Sequence, residues 1–175
     1  MSEEQTERNT AIHEAAHAVI GYRTYGGSVH AEGVTIIPKG EIAGSAESMQ
    51  MHDGLEEGFI LALLAGWIAQ SRINPRIRAR GCSDDFQQVR EFLPYAEITL
   101  SQAIAKTREL VSKHWKEIEA VAEELEKHSK LDDVEVSIIA DSAIGYVVDG
   151  DPVTRDTLGY YRNRRDVSAS TLPPG

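Results

Sequence analysis

Cysteine is nearly absent from the chain, since Cys82 is the one cysteine among 175 residues. A lone thiol closes no internal disulfide, which excludes a disulfide-stapled secreted scaffold. Long apolar runs are also missing, because the most apolar stretch, 59–69, is well short of the roughly 20 residues that a membrane span needs. The polar opening MSEEQTERNT lacks the basic start and apolar stretch of a signal peptide. We therefore expect a soluble, cytoplasmic protein with no membrane span.

Positive charge is scarce as well, with 18 Lys and Arg against 28 Asp and Glu. Nucleic-acid binding relies on clustered basic residues, so this balance predicts no nucleic-acid partner. The 41% hydrophobic content is ordinary for a globular protein, and 175 residues suit one compact domain. From residue 150 onward the sequence is polar and shows no clear apolar period. We expect a folded domain over 1–149 and a loosely held tail over 150–175.

Apolar periodicity predicts a mainly α fold with a small β element, an α+β class. The helical pattern covers residues 6–25, 55–72, 83–94, 100–128 and 132–140. Gly26 suits the end of the first helix, and Pro94 the end of the third. The β-branched run Val34–Ile37 predicts a strand. The expected architecture is a helix and strand followed by a helical bundle.

The segment His13-Glu14-Ala15-Ala16-His17 carries the strongest chemical signal. Residues four apart lie on one face of a helix, so both imidazoles can bind one metal ion. Zinc suits this pair because neutral imidazole is a good ligand and four-coordination leaves room for water. Glu14 lies one step round the helix, where it can act as general base without binding the metal. The alternative is two histidines at helical spacing with a solvated glutamate between them.

A catalytic zinc needs a third protein ligand, which spacing alone does not identify. The candidates are His30, His52, Asp53, Asp84, Asp85, His114 and His128. The extended zincin pattern would place a histidine six residues after His17, but that position is Arg23. A thermolysin-like arrangement would take its ligand from Glu47, Glu56 or Glu57. Asp84 and Asp85 also suit a helix start, where one can cap the helix while the other binds metal.

Four segments follow one another in a recognisable order: HEAAHAV (13–19), VTIIPKG (34–40), LAGWIA (64–69) and GCSDDF (81–86). Their order resembles the peptidase domain of the FtsH family of ATP-dependent zinc metalloproteases, over about residues 10–140. Only the HExxH and Ser-x-Asp segments are specific. The resemblance implies a zincin-like metal site with His13, His17 and Asp85 as zinc ligands and Glu14 as the catalytic carboxylate. Asp84 then stands where the family often has Asn.

The sequence also departs from that family. It contains no phosphate-binding loop with a GKT or GKS triplet and no membrane anchor. Ala16 replaces a usual glycine, Trp67 an arginine, and Gln70-Ser71 an acidic pair. ATP-driven degradation is therefore not implied for this chain alone, although an ATPase partner in trans and a homo-oligomer are compatible with the resemblance.

The resemblance further suggests how substrate binds. It implies that the strand formed by Val34, Thr35, Ile36 and Ile37 lies at a sheet edge beside the zinc. An extended peptide would add to this edge through backbone hydrogen bonds, with weak sequence preference. The alternative is an ordinary core strand.

A zinc metalloendopeptidase is the leading functional hypothesis, cleaving unfolded or extended polypeptides with metal-activated water. The alternative from another class is a catalytically silent zinc-binding adaptor. The missing ATPase, Ala16 and Gln70-Ser71 favour the adaptor, whereas Glu14 argues against it because a purely structural site does not need that carboxylate. A helical protein with no metal is a third hypothesis.

Overall fold

The chain is mainly helical, with a small β component. A computed structural model describes residues 3–26, 33–37, 54–75, 77 and 83–170. The α-helices in these ranges are α1 (Glu3–Tyr25), α2 (Glu56–Ile73), α3 (Ser83–Phe92), α4 (Leu100–Lys113), α5 (Trp115–His128), α6 (Asp133–Ala143) and α7 (Arg155–Ser170). Two antiparallel pairs accompany them: β1 (Val34–Thr35) with β2 (Lys130–Leu131), and β3 (Val147–Val148) with β4 (Asp151–Pro152). The predicted mainly α class with a small β element is confirmed. Within the described ranges, no helix combines the length and apolarity needed to span a membrane.

Two of the predicted helix ends have local causes. α1 ends at Tyr25, and Gly26 follows with φ +78°, a conformation that glycine adopts without a Cβ clash. α3 ends at Phe92, and Pro94 lies within the 3₁₀ turn that follows it. These two stops set the lengths of the helices that later supply the site.

The helix predicted over 100–128 is instead two helices. His114 separates α4 from α5, with φ −98° and ψ 18°. Its Nδ1 lies 2.7 Å from Oε1 of Glu117, which is buried in the first turn of α5. The break does not show in the sequence because both helices bury one apolar face, including Val111 and Ile118, in the same core.

α1 and α2 form an antiparallel pair at the centre of the core. Three hydrogen bonds cross between them, from Thr24 Oγ1 to Gly58 O at 3.2 Å, from His17 Nδ1 to Ala62 O at 2.7 Å and from Gln70 Nε2 to Asn9 O at 3.3 Å. The facing residues of α2 are small, so the two backbones approach closely. At Gly58, an added Cβ would lie only 3.3 Å from Tyr25 Cβ. This approach brings α2 against both histidines of α1.

A buried ionic cluster joins α1 to α5 and α6. Arg23 donates from Nε to Glu117 Oε2 at 2.7 Å and from Nη2 to Asp141 Oδ1 at 2.6 Å. Tyr22 OH donates to the other oxygen of Asp141 at 3.1 Å. Both carboxylates are buried, so the guanidinium offsets their desolvation. The position where an extended zincin would carry a histidine is therefore occupied by a structural cation.

β1 is shorter than the predicted strand. The register pairs Val34 with Leu131, and Ile36 N–H extends the ladder by donating to Ser129 O at 3.0 Å. Val34 is buried, whereas Ile37 lies beyond the ladder and is 58% exposed. The strand prediction is confirmed for its first half.

The C-terminal segment differs from the expected loosely held tail over 150–175. Residues 155–170 form α7, which contacts α6. Leu158 is buried, and Arg162 Nε donates to Glu135 Oε1 at 2.6 Å. The expectation was wrong for these residues because α7 is attached mainly by charged contacts, which an apolar period does not reveal.

Candidate metal centre

The site joins the middle of α1 to the first turn of α3. His13 and His17 lie one turn apart on α1, and their Nε2 atoms are 3.0 Å apart. Asp85 Oδ2 lies 3.3 Å from Nε2 of His13 and 3.5 Å from Nε2 of His17. The structure therefore brings together three residues that the sequence analysis singled out, although 68 positions separate His17 from Asp85 (85 − 17).

These separations match the ligand spacing of a small tetrahedral metal ion. Zinc binds imidazole nitrogen and carboxylate oxygen at about 2.0–2.1 Å, which places neighbouring ligands of a tetrahedron about 3.3 Å apart. The observed distances of 3.0, 3.3 and 3.5 Å lie around that value. Two imidazoles and one carboxylate also form a donor set typical of catalytic zinc. The three residues fit the ion, which would keep one coordination position for a non-protein ligand.

A backbone carbonyl of α2 orients the inner histidine. His17 Nδ1 lies 2.7 Å from Ala62 O, and because a carbonyl only accepts, the nitrogen carries the hydrogen. In the neutral ring Nε2 is then unprotonated and directs its lone pair toward Asp85 and His13. Such a second hydrogen bond sets the tautomer and ring orientation of a metal-binding histidine.

The electrostatics of the metal-free site favour a shared proton. Burial opposes the charged imidazole, but the hydrogen bond and charge of Asp85, with the charge of Glu14, raise the pKa of His17 to about 8. Burial likewise opposes the charged carboxylate, yet hydrogen bonds from His13 and His17 hold the pKa of Asp85 well below its usual range. A cation can therefore replace a proton that three converging groups already attract.

Gly66 leaves the space that the two imidazoles fill. A Cβ at this position of α2 would lie 2.5 Å from His17 Nε2 and 2.8 Å from His13 Cε1. The rings could not keep their present places beside such an atom. Sequence analysis overlooked Gly66, although a glycine inside an apolar helix is a recognised signal of close packing.

Glu14 lies beside the three converging groups without joining them. It is partly buried, and its charge is among the causes that raise the pKa of His17. Ala16 is fully buried, so its methyl group faces the packed side of α1 as the departure from glycine requires. Glu14 therefore lies close enough to the three groups for its charge to act on His17.

Four of the five other described candidates for the third ligand pair with groups outside the site. Glu56 Oε2 accepts from Gly54 N–H at 2.9 Å, and Glu57 pairs with Lys106 of α4. The two remaining described histidines, His114 and His128, pair with Glu117 and Glu124. Asp84 is exposed. His30, Glu47, His52 and Asp53 lie outside the described residues.

The departures from the FtsH pattern have structural roles here. Gln70 Nε2 donates to Asn9 O of α1 at 3.3 Å, and Ser71 Oγ donates to Trp67 O within α2 at 2.7 Å. Trp67 packs edge to face on Phe86, with ring centroids 5.4 Å apart. These residues contribute to helix packing, where the family has charged groups.

Comparison with known proteins gives no family assignment. No protein-family model matches the chain, and no curated protein matches it significantly. The site geometry and the quoted motifs therefore carry the functional argument.

Proposed function

We propose that the chain is a zinc-dependent metalloendopeptidase of the FtsH type. The observation that carries the proposal is the convergence of His13, His17 and Asp85 at tetrahedral ligand spacing, with Glu14 beside them. Two imidazoles and one carboxylate at this spacing form the donor set of many catalytic zinc sites. A zincin-like fold at the site follows from the same proposal.

The residues divide the chemical work. His13, His17 and Asp85 would hold zinc, which when bound polarises a peptide carbonyl and makes water more acidic. Glu14 accepts a proton from the attacking water and passes it to the leaving amine. Ala62 O keeps His17 in the tautomer that binds metal.

The substrate is an extended or unfolded polypeptide on this proposal. Ile36 N–H donates to Ser129 O, directly before β2. In the antiparallel ladder, the N–H and C=O of Thr35 therefore point to the opposite edge of β1. Among the described residues no strand pairs with that edge. A peptide added there would be held by backbone hydrogen bonds, with Ile37 exposed beside it and Val34 buried beneath.

The test is cleavage of casein, an unfolded protein, by zinc-loaded enzyme alongside Glu14→Gln. We expect the parent to cleave and the variant to lose at least about a hundredfold in rate, because a general base contributes 10²–10⁴-fold. The variant should keep its zinc, since Glu14 is not a ligand. Cleavage at the parental rate by Glu14→Gln would refute the assigned role.

A zinc-binding adaptor is the second candidate. The observation favouring it is that Gln70 and Ser71 serve packing where the family has an acidic pair. The adaptor would be supported if the parent bound one zinc per chain and did not cleave casein, even with an ATPase partner present. A cytoplasmic location, an ATPase partner in trans and assembly into a homo-oligomer stay predictions.

A further inference from the structure

We infer that Trp67, which binds no metal, positions the third metal ligand by holding Phe86 in place. The inference rests on the proposed zinc site and concerns how Asp85 reaches it. Asp85 and Phe86 are neighbours in the first turn of α3, so whatever seats Phe86 also sets the place of the carboxylate.

α3 is attached to α2 through a short apolar face. Val89 is buried, and Phe86 and Phe92 are partly buried against the core. Within the described residues, α3 packs on α2 and on the 3₁₀ turn that follows it. The anchoring of the ligand-bearing turn therefore depends on a few side chains.

Two aromatic pairs hold the two ends of α3. Trp67 meets Phe86 with ring centroids 5.4 Å apart and planes at 65°, beside Asp85. Phe59 meets Phe92 with centroids 5.0 Å apart and planes at 78°, at the other end of the helix. Both are edge-to-face contacts of ordinary strength. Phe59 and Trp67 are eight residues apart on α2, so the second pair lies roughly 12 Å along the axis from the first.

The indole is not the side chain that stability alone would favour at this position. Trp67 Nε1 is buried and makes no hydrogen bond to any described residue. Burying a donor without a partner costs free energy that a phenylalanine or leucine would avoid. The indole ring reaches Phe86, and we attribute its presence to this contact, which fixes Asp85 before metal binds.

α2 thus orders the three metal-binding side chains while supplying no ligand. Ala62 O orients His17, Gly66 makes room for both imidazoles, and Trp67 seats Asp85 through Phe86. Preorganisation of this kind raises metal affinity because fewer conformations are lost on binding.

The experiment compares Trp67→Leu and Phe86→Leu with Phe92→Leu as the matched control. Zinc affinity is measured by competition with a chromophoric chelator, ligand geometry by the visible spectrum of the cobalt-substituted protein, and stability by urea unfolding of the chelated protein. We expect Trp67→Leu and Phe86→Leu to weaken zinc binding about ten- to a hundredfold, as loss of supporting residues around metal ligands does. Their cobalt spectra should shift toward that of Asp85→Ala.

Phe92→Leu should lose comparable stability while keeping parental zinc affinity and the parental cobalt spectrum. In an Asp85→Ala background, Trp67→Leu should have no further effect on zinc affinity, because the ligand it positions is gone. The inference would be overturned if Trp67→Leu bound zinc with parental affinity. It would also be overturned if Phe92→Leu lost as much zinc affinity, or if the losses from Trp67→Leu and Asp85→Ala were additive. A parent that binds no zinc overturns the metal centre and this inference together, whereas zinc binding without casein cleavage overturns only the peptidase proposal.

Discussion

Gly66 shows how a residue without a side chain controls the site. Its α-carbon lies where α2 passes both imidazoles, and the missing Cβ is what lets their Nε2 atoms meet Asp85. The ring of His17 has little freedom to move aside, because its Nδ1 is bound to Ala62 O on the same helix. The close approach of α1 and α2 therefore shapes the candidate metal centre and is also a packing contact.

We predict that Gly66→Ala weakens zinc binding at least about tenfold. This is the lower limit of the affinity loss expected when a residue that supports metal ligands is changed. The new methyl group would displace the His17 ring or push α1 from α2. Isothermal titration of the chelated protein with zinc measures the effect.

Gly58→Ala is the control for that substitution, because it adds a methyl group at the same helix interface. Its nearest neighbours would be Tyr25 and Thr24 at 3.3–3.4 Å, with no histidine among them. In both variants the new alanine stabilises the helix by about 1 kcal/mol relative to glycine. This contribution is therefore the same in the two variants and does not affect their comparison. Parental zinc affinity in Gly66→Ala would contradict the clearance argument.

Site residues differ in how far the sequence reveals them. His13, Glu14 and His17 are readable because their relation is set within one helix turn. Asp85 needed the family resemblance, since helix periodicity says nothing about which distant residue packs against α1. Gly66 was missed because its role depends on the register between two helices, which no single segment contains.

Helices with enough apolar residues to bury at least one face were predictable, and α7 was not. α1 and α3 end where glycine and proline require it, whereas the α4–α5 break at His114 leaves no apolar signature. In α7, Leu158 is the one buried apolar residue of the described side chains. Arg155, Arg162 and Arg165 attach this helix to carboxylates of α5 and of the start of α6. These partners lie in other segments, so the sequence of α7 alone shows only a polar stretch.

We predict that Arg162→Ala releases α7 without affecting the metal centre. Arg162 Nε donates to Glu135 Oε1 at 2.6 Å, and Glu135 is buried, so the loss should cost about 1.5–3 kcal/mol, as for hydrogen bonds to charged groups. Hydrogen exchange should speed up over 155–165, and zinc affinity should stay parental.

Arg164→Ala is the matched control on the same helix. Arg164 is exposed and bonds to Tyr160 OH at 3.1 Å within α7. Removing an exposed contact within one helix costs little, so exchange over α7 should stay parental. Equal effects of the two substitutions would show that α7 is not held by the Glu135 contact.

The whole molecule is coupled to the site because the three candidate ligands come from helices that are far apart in sequence. In metal-free protein, the pKa of His17 is raised from 6.5 to about 8, so the site stabilises the fold by about 2 kcal/mol below pH 6.5. That contribution is lost as pH rises through 8. The pKa of Asp85 is lowered, so its contribution is present above its unfolded pKa and lost as pH falls below it. Metal-free protein should therefore lose stability between pH 6.5 and 8.

Zinc should reverse this trend, because it must displace the proton of His17 to bind. Below pH 8 its affinity should rise close to tenfold per pH unit, since one proton leaves per ion. The gap in unfolding free energy between zinc-loaded and EDTA-treated protein should therefore widen from pH 6.5 to 8 and level off above. Urea unfolding at matched free zinc measures the gap. In metal-free Asp85→Asn, the loss of stability between pH 6.5 and 8 should shrink, because the substitution removes the charge that raises the pKa of His17. If the gap in the parent does not depend on pH, the ion is not bound through His17. Among the described histidines, only His13 and His17 contact Asp85, and both belong to this site.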